Sequence, residues 1–178
     1  MRMVVNPAVR PKVATTGLVL ATAVVFIVFA LSFIALAATE LPLVMKVIVG
    51  SFLLASVLLL ALLWGKRSVR RRTWLANAAN RWRSFDNAQL ASGTTTEVTL
   101  LSVDVVQPTG AWVTIMWNRF NHVQRAWIEA LPEPLWPGSV LLIAPDPAQV
   151  MPSTPWPETY FIRAADCLAW APAEGRHP

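Results

Sequence analysis

The chain has 178 residues, a hydrophobic fraction of 55% and a mean hydropathy of +0.49, more apolar than a soluble globular domain usually is. Its formal net charge of +5 is unevenly held: residues 1–85 carry eleven Lys and Arg against Glu40 alone, and residues 86–178 carry four Arg against nine acids. That split argues against a nucleic-acid face on the acidic C-terminal half. Cys167 is the single cysteine, which excludes an intramolecular disulfide and suits a reducing compartment.

In chain order, the first element is an apolar run from Val13 to Thr39 without a charged residue. A second covers Leu41 to Trp64, with Lys46 its only charge. About 20 apolar residues cross a bilayer core of ~30 Å, so both runs are long enough to span. Neither shows the polar stripe of a buried soluble helix. A cleaved leader is the competing reading of the first run, since Arg2, Arg10 and Lys12 precede it and Ala35-Leu36-Ala37 resembles a cleavage site. The apolar core is longer than leaders use, and a second run follows almost at once. The expectation is therefore a two-helix transmembrane hairpin over residues 13–64, with a flank at 1–12.

Orientation follows from the flanking cations. Thr39-Glu40-Leu41-Pro42 between the runs has none, whereas Gly65 to Arg72 holds Lys66, Arg67, Arg70, Arg71 and Arg72. Both termini are expected in the cytoplasm, with a bacterial cytoplasmic membrane as the setting. The partners expected there are anionic lipid headgroups, together with other membrane proteins or a second copy; no cofactor, metal or nucleic acid is expected.

Residues 65–92 read as a separate basic amphipathic helix. Trp74, Leu75, Ala78, Trp82 and Phe85 share one side, and Arg81 and Arg83 lie mostly elsewhere. Tryptophans beside dense positive charge point to the headgroup region. The expected membrane-surface set is thus Lys66, Arg67, Arg70, Arg71, Arg72, Trp74, Arg81, Trp82, Arg83 and Phe85. The plainer alternative is a linker helix whose aromatics pack on the domain that follows.

From residue 93 to 171 the texture becomes that of strands, ahead of a tail at 172–178. Thr96–Val106 places Thr99, Leu101, Val103 and Val105 on one face, and Ala111–Asn118 alternates Trp112, Thr114, Met116 and Asn118 against Val113, Ile115 and Trp117. Val123–Ala130 follows a polar turn. Pro137-Gly138 introduces Ser139–Ala144, apolar on both faces and so a central strand. The proline-dense loop Pro145–Pro157 precedes Thr159–Arg163, and Cys167–Trp170 closes the domain. Five or six short strands of this kind suggest a small all-β domain, an antiparallel barrel or sandwich of OB or SH3-like size.

Chemistry-bearing residues are sparse. The seven glycines form no phosphate-binding loop, and His122 and His177 with one cysteine cannot complete a familiar zinc site. His122, Cys167 and Asp104 or Asp166 could compose a thiol site only if the fold gathered them. The chain thus reads as a non-enzymatic protein without catalytic residues. Tryptophan is the anomaly: nine in all, six of them in the β domain. Trp136 and Trp156 sit among prolines in loops, where large aromatics commonly anchor protein partners or pack on a membrane; they are the expected partner-binding residues, with packing inside the loop as the plainer alternative.

The turn Pro108-Thr109-Gly110 followed by Pro137-Gly138-Ser139-Val140-Leu141-Leu142-Ile143, placed after membrane spans, resembles the pattern of NfeD-type membrane proteins. Those have a small cytosolic OB-like barrel and are associated with stomatin-like membrane scaffolds. The resemblance implies a closed barrel and a role in membrane assembly; the glycines usual before the first turn are missing here, as are the extra spans of longer members. Two spans plus a barrel is also similar to bacterial defence effectors that sense a cyclic nucleotide, although no residue motif carries that likeness. The sequence therefore predicts a membrane scaffold or accessory subunit that docks a protein partner, with a two-span ligand-sensing effector as the alternative.

Overall fold

The computed structural model describes residues 6–40, 42–149 and 155–176. Arg2, His177 and the middle of the proline-dense loop, 150–154, lie outside the described residues. Helix α1 spans Thr16–Ala38 and helix α2 spans Leu43–Ala91. At 1.5 Å per residue the 23 residues of α1 cover about 35 Å, enough for a hydrocarbon core. Both apolar stretches are almost wholly exposed, as expected of membrane spans. The separate helix expected at 65–92 is instead the second half of α2. Nothing between Trp64 and Ala91 breaks it, because the stretch holds no proline and Gly65 is its single glycine.

The chain divides into two compact units, residues 11–73 in one and residues up to Arg10 with those from Trp74 onward in the other. In the first unit the less exposed positions include Leu18, Thr22, Val25, Ser32 and Leu36 on α1, and Lys46, Val49, Leu53, Ser56, Leu60 and Trp64 on α2. These steps of three, four and seven place each set along one side of its helix. The indole of Trp64 donates to Thr22 Oγ1 (3.1 Å), and Arg67 donates to Thr15 Oγ1 (2.7 Å) and the Val13 carbonyl (3.4 Å).

The second unit is built on six strands: β1 Thr96–Gln107, β2 Gly110–Trp117, β3 His122–Glu129, β4 Ser139–Ile143, β5 Thr159–Ile162 and β6 Cys167–Pro172. They form one sheet in the order β5-β3-β2-β1-β4-β6. The expected closed antiparallel barrel or sandwich is corrected here: the sheet is open and mixed, and its edge strands do not pair with each other. The chain crosses from β4 to the far edge, so β5 enters beside β3 in the same direction and pairs in parallel.

A β-turn with Pro137 at its second position and Gly138 at φ +86° starts β4, closed by the Ser139 amide on the Trp136 carbonyl (3.1 Å). Every residue of β4 is buried, as a central strand requires. Leu141 and Ile143 face the main core with Val98, Leu100, Val113, Ile115, Trp117 and Tyr160. Val140 and Leu142 face the opposite way, onto Trp82 and Phe85 of α2 and Ala171 of β6. The last turns of α2 therefore belong to the β unit. The N-terminal segment joins it too: Asn6 donates to the Pro137 carbonyl (3.2 Å), Trp74 Nε1 donates to the Pro7 carbonyl (2.8 Å), and the Arg10 amide donates to Glu174 (2.9 Å).

Candidate functional site

Strand β1 carries two register shifts, between Leu100 and Ser102 and between Val103 and Val105. Each bulge inserts one residue and reverses the side on which the following residues lie. The simple alternation expected of β1 is corrected accordingly. Thr99, Ser102 and Val105 share a face with Met116, Thr114 and Trp112, while Val103 turns toward the core.

The bulges bring Val105 into a row that crosses four strands. Val105 pairs with Trp112, Trp112 with Trp127, and Trp127 with Phe161. Val105 and Phe161 are 48% and 51% exposed, and the two indoles between them are half-buried. Those indoles meet near edge-to-face, 5.1 Å between centroids at 65°. Gly110 makes room for this, since a Cβ there would lie 2.6 Å from the Trp127 ring. The guanidinium of Arg125 stands 5.0 Å from the centre of the Trp112 ring and enters no ion pair among the described residues.

A cleft of about 470 Å³ opens beside the row, lined by Gln107, Trp112, Trp127, Glu129, Phe161 and Arg163, with Ile162. Its rim is held in place. Glu129 accepts the Ala164 amide (2.8 Å), and Arg163 grips Asp166 through two bonds of 2.7 and 3.0 Å. The β5 edge is closed by Gln149, whose side chain accepts the Phe161 amide (2.8 Å) and donates to the Phe161 carbonyl (3.0 Å). A side-chain amide there takes the place of a neighbouring strand, so the sheet offers its face rather than this edge.

The two expected partner-binding residues sit elsewhere. Trp156 is 36% exposed, its ring packed on Trp117 (5.1 Å), Phe120 (5.5 Å) and His122 (4.8 Å). Beneath it, Trp117 donates to Gln124 (2.9 Å), which in turn donates to the Pro157 carbonyl and ties the loop to the core. Trp136 is half-buried and its carbonyl closes the turn into β4. Neither belongs to the cross-strand row. The row escaped sequence reasoning because β1 hides its true alternation; Trp112 falling on the same side as Thr114 and Asn118 was the legible trace of it.

The expected membrane-surface residues divide between the two units. Lys66, Arg70 and Arg72 are exposed, while Arg67 and Arg71 are half-buried. In the β unit the expectation is corrected. Phe85 is fully buried and Trp82 is 7% exposed, with its indole donating to the Pro172 carbonyl (3.1 Å) and its ring 4.9 Å from Phe85. Their apolar surface is spent on Val140 and Leu142, because a sheet face with two exposed aliphatics gains more from a dry contact than headgroups offer. Trp74 is half-buried on Pro7. Arg81 pairs with Glu133 (2.9 Å) and stacks 3.7 Å from the centre of the Trp170 ring. Arg83 donates to Asn80 (2.6 Å) and remains exposed.

The groups considered for a thiol site each have other contacts. His122 lies on Trp156, Asp104 accepts from Ser102 (2.7 Å) and Thr114 (3.3 Å), and Asp166 holds Arg163. Burial pushes the Cys167 thiol up to about 11, which leaves little nucleophilic thiolate at neutral pH. No known protein family, curated protein or solved structure matches the chain. What the arrangement offers chemically is a rigid apolar platform with one unpaired cation beside it.

Proposed function

We propose that this chain is a non-enzymatic membrane scaffold or accessory subunit, anchored by its helical hairpin and docking a protein partner through the outer face of its β unit. The observation that carries the reading is the row Val105–Trp112–Trp127–Phe161, which leaves Val105 and Phe161 exposed and both indoles half-buried on a sheet face that α2 covers at β4. Exposed aromatics held rigid, with an arginine beside them, have the composition of interface hot spots. Trp156, with Phe120 beside it, adds a second exposed aromatic group. Support for docking over the sensing of a small ligand comes from the inner face of the sheet, where Leu131, Leu135 and Trp170 pack against the core and fill the space a ligand would need.

The membrane setting rests on the two apolar helices and the cations around them. Residues up to Arg10 and those from Trp74 onward belong to one compact unit, which supports reading both flanks of the hairpin on one side of the bilayer. The cluster Lys66–Arg72 makes that side the cytoplasm, and a bacterial cytoplasmic membrane is the setting. Self-association within the bilayer and contact with anionic lipid complete the picture.

Full-length protein purified from its own membrane in mild detergent tests the docking face. A second protein should co-purify at fixed stoichiometry, and the double substitution Trp112→Thr with Phe161→Thr should release it. Hot-spot truncations cost ~2 kcal/mol or more each, enough to turn a stable complex into one that washes off. The variant should stay folded with a melt lowered by several degrees, because Trp112 loses its contact with Trp127 while Phe161 is half in water and threonine suits a strand. Retention of the partner by the folded variant would overturn the assignment of this face.

A further inference from the structure

The hairpin unit contains a groove of about 760 Å³ between α1 and α2, lined on α1 by Thr22, Val25, Phe26, Phe29, Phe33 and Leu36. The α2 wall runs from Gly50 to Trp64. Its polar groups are engaged within the hairpin: Thr22 donates to the Leu18 carbonyl (2.7 Å) and accepts from Trp64, and no charged side chain lines it. An occupant must therefore be hydrocarbon.

Shape narrows the choice. The walls cover fifteen residues on each helix, about 21 Å from end to end, so the groove runs along the hairpin. An extended acyl chain matches that length and that apolar lining. Charge narrows it further. Beyond Trp64, the same side of α2 continues through Arg67 and Arg71, three and seven residues on, both half-buried. Arg71 enters no ion pair among the described residues, and Lys12 precedes α1 at the same end of the hairpin.

We propose that this groove is a binding site for an anionic phospholipid, its acyl chain between α1 and α2 and its phosphate on Arg71, with Arg67 and Lys12. The inference rests on the reading of the hairpin as membrane-spanning. It assigns the cations a specific ligand rather than diffuse attraction to the surface, in which each basic residue is worth about 1 kcal/mol.

The test uses the full chain in mild detergent, delipidated and then offered phosphatidylglycerol or phosphatidylcholine of the same acyl composition, with bound lipid counted by native mass spectrometry. Wild type should retain one phosphatidylglycerol, at least about tenfold tighter than phosphatidylcholine. Arg71→Gln should remove most of that preference while leaving the chain folded, since the side chain makes no hydrogen bond or ion pair among the described residues. Gly50→Phe should abolish retention of either lipid, because a side chain at Gly50 meets no atom within 4 Å and would project into open space in the groove wall. Equal retention of both lipids would overturn the headgroup assignment. A dimer that excludes lipid until Gly50→Phe breaks it would hand the groove to a second copy. Alkaline extraction separates the two levels: a chain released from membranes ends the spanning reading itself, whereas one that stays embedded and retains no lipid ends only this proposal.

Discussion

At the scale of single residues, the tryptophans show how far composition leads and where it stops. Their excess is plain in the sequence, and so is the isolation of Trp136 and Trp156 among prolines. Composition cannot reveal that the turn between β2 and β3 aims Phe120 back at Trp156, or that His122 at the start of β3 lies under it. The turn does so through Asn121, which adopts φ +48°, a left-handed conformation that asparagine tolerates. Trp156 thus serves its own domain as well as any partner, and the two loop tryptophans separate in their expected behaviour. Trp156→Ala should lower stability by about 2 kcal/mol, since it forfeits three aromatic contacts of ~0.5–1.5 kcal/mol each while part of the ring was already in water. Trp136→Ala should cost little, because no ring of the described residues stacks on it. Thermal melts of the two single variants, run side by side, check the difference; equal melting temperatures would show that the Trp117–Phe120–His122 bed contributes nothing.

At the scale of elements, helices and strands were legible because apolar length and period-two patterning are local properties, and all six strands fall within two residues of where the pattern puts them. The relation between elements was not. Whether Trp82 and Phe85 turn to lipid or to protein depends on Val140 and Leu142, more than fifty residues away, and only the sheet brings those together. The consequence is direct: Phe85→Ala should destabilise the β unit by about 3–5 kcal/mol, the cost of emptying a fully buried phenylalanine site. Chemical unfolding of the full chain in detergent, followed by tryptophan emission, measures it, and a loss below 1 kcal/mol would contradict the burial. A second device ties α2 to the loop before β4. Glu133 accepts from Trp170 (3.0 Å) and from Arg81, and these bonds hold its carboxyl below its ordinary value of 4.5. Because the folded value is depressed, the stabilisation is fully present above the unfolded value and is lost as pH falls through the folded one. Wild type and Glu133→Gln should therefore differ in melting temperature at pH 7 and converge as pH falls below 4.5. The exposure of Glu133 makes the difference small, and a gap unchanged down to pH 3 would mean the carboxylate form is not what matters.

At the scale of the whole molecule, the closed barrel was the expectation that failed, and the reason is topological. Strand count and turn chemistry fit a barrel and an open sheet equally well; what decides is that β5 pairs with β3 in parallel and presents its far edge to Gln149 instead of to β6. The proposed topology across the membrane draws on contacts and charge together. The segment before α1 and the domain after α2 share hydrogen bonds, Arg10 to Glu174 and Asn6 to Pro137, which supports the proposal that both ends of the hairpin lie on one side. The charge pattern supports the cytoplasm as that side, with five cations from Lys66 to Arg72 against none between the helices. Single cysteines placed on a Cys167→Ala background give the check. Glu40→Cys, between the helices, should react with a membrane-impermeant thiol reagent in intact cells. Ala173→Cys, exposed after β6, should react only after the cells are opened, and so should Val9→Cys, whose side chain is exposed before α1. The third position carries most of the weight. Labelling at 9 and 173 must change together if the two flanks form one unit, whichever side they occupy. Joint labelling in intact cells would invert the orientation and leave the hairpin standing, whereas labelling at one of the pair alone would break the hairpin itself.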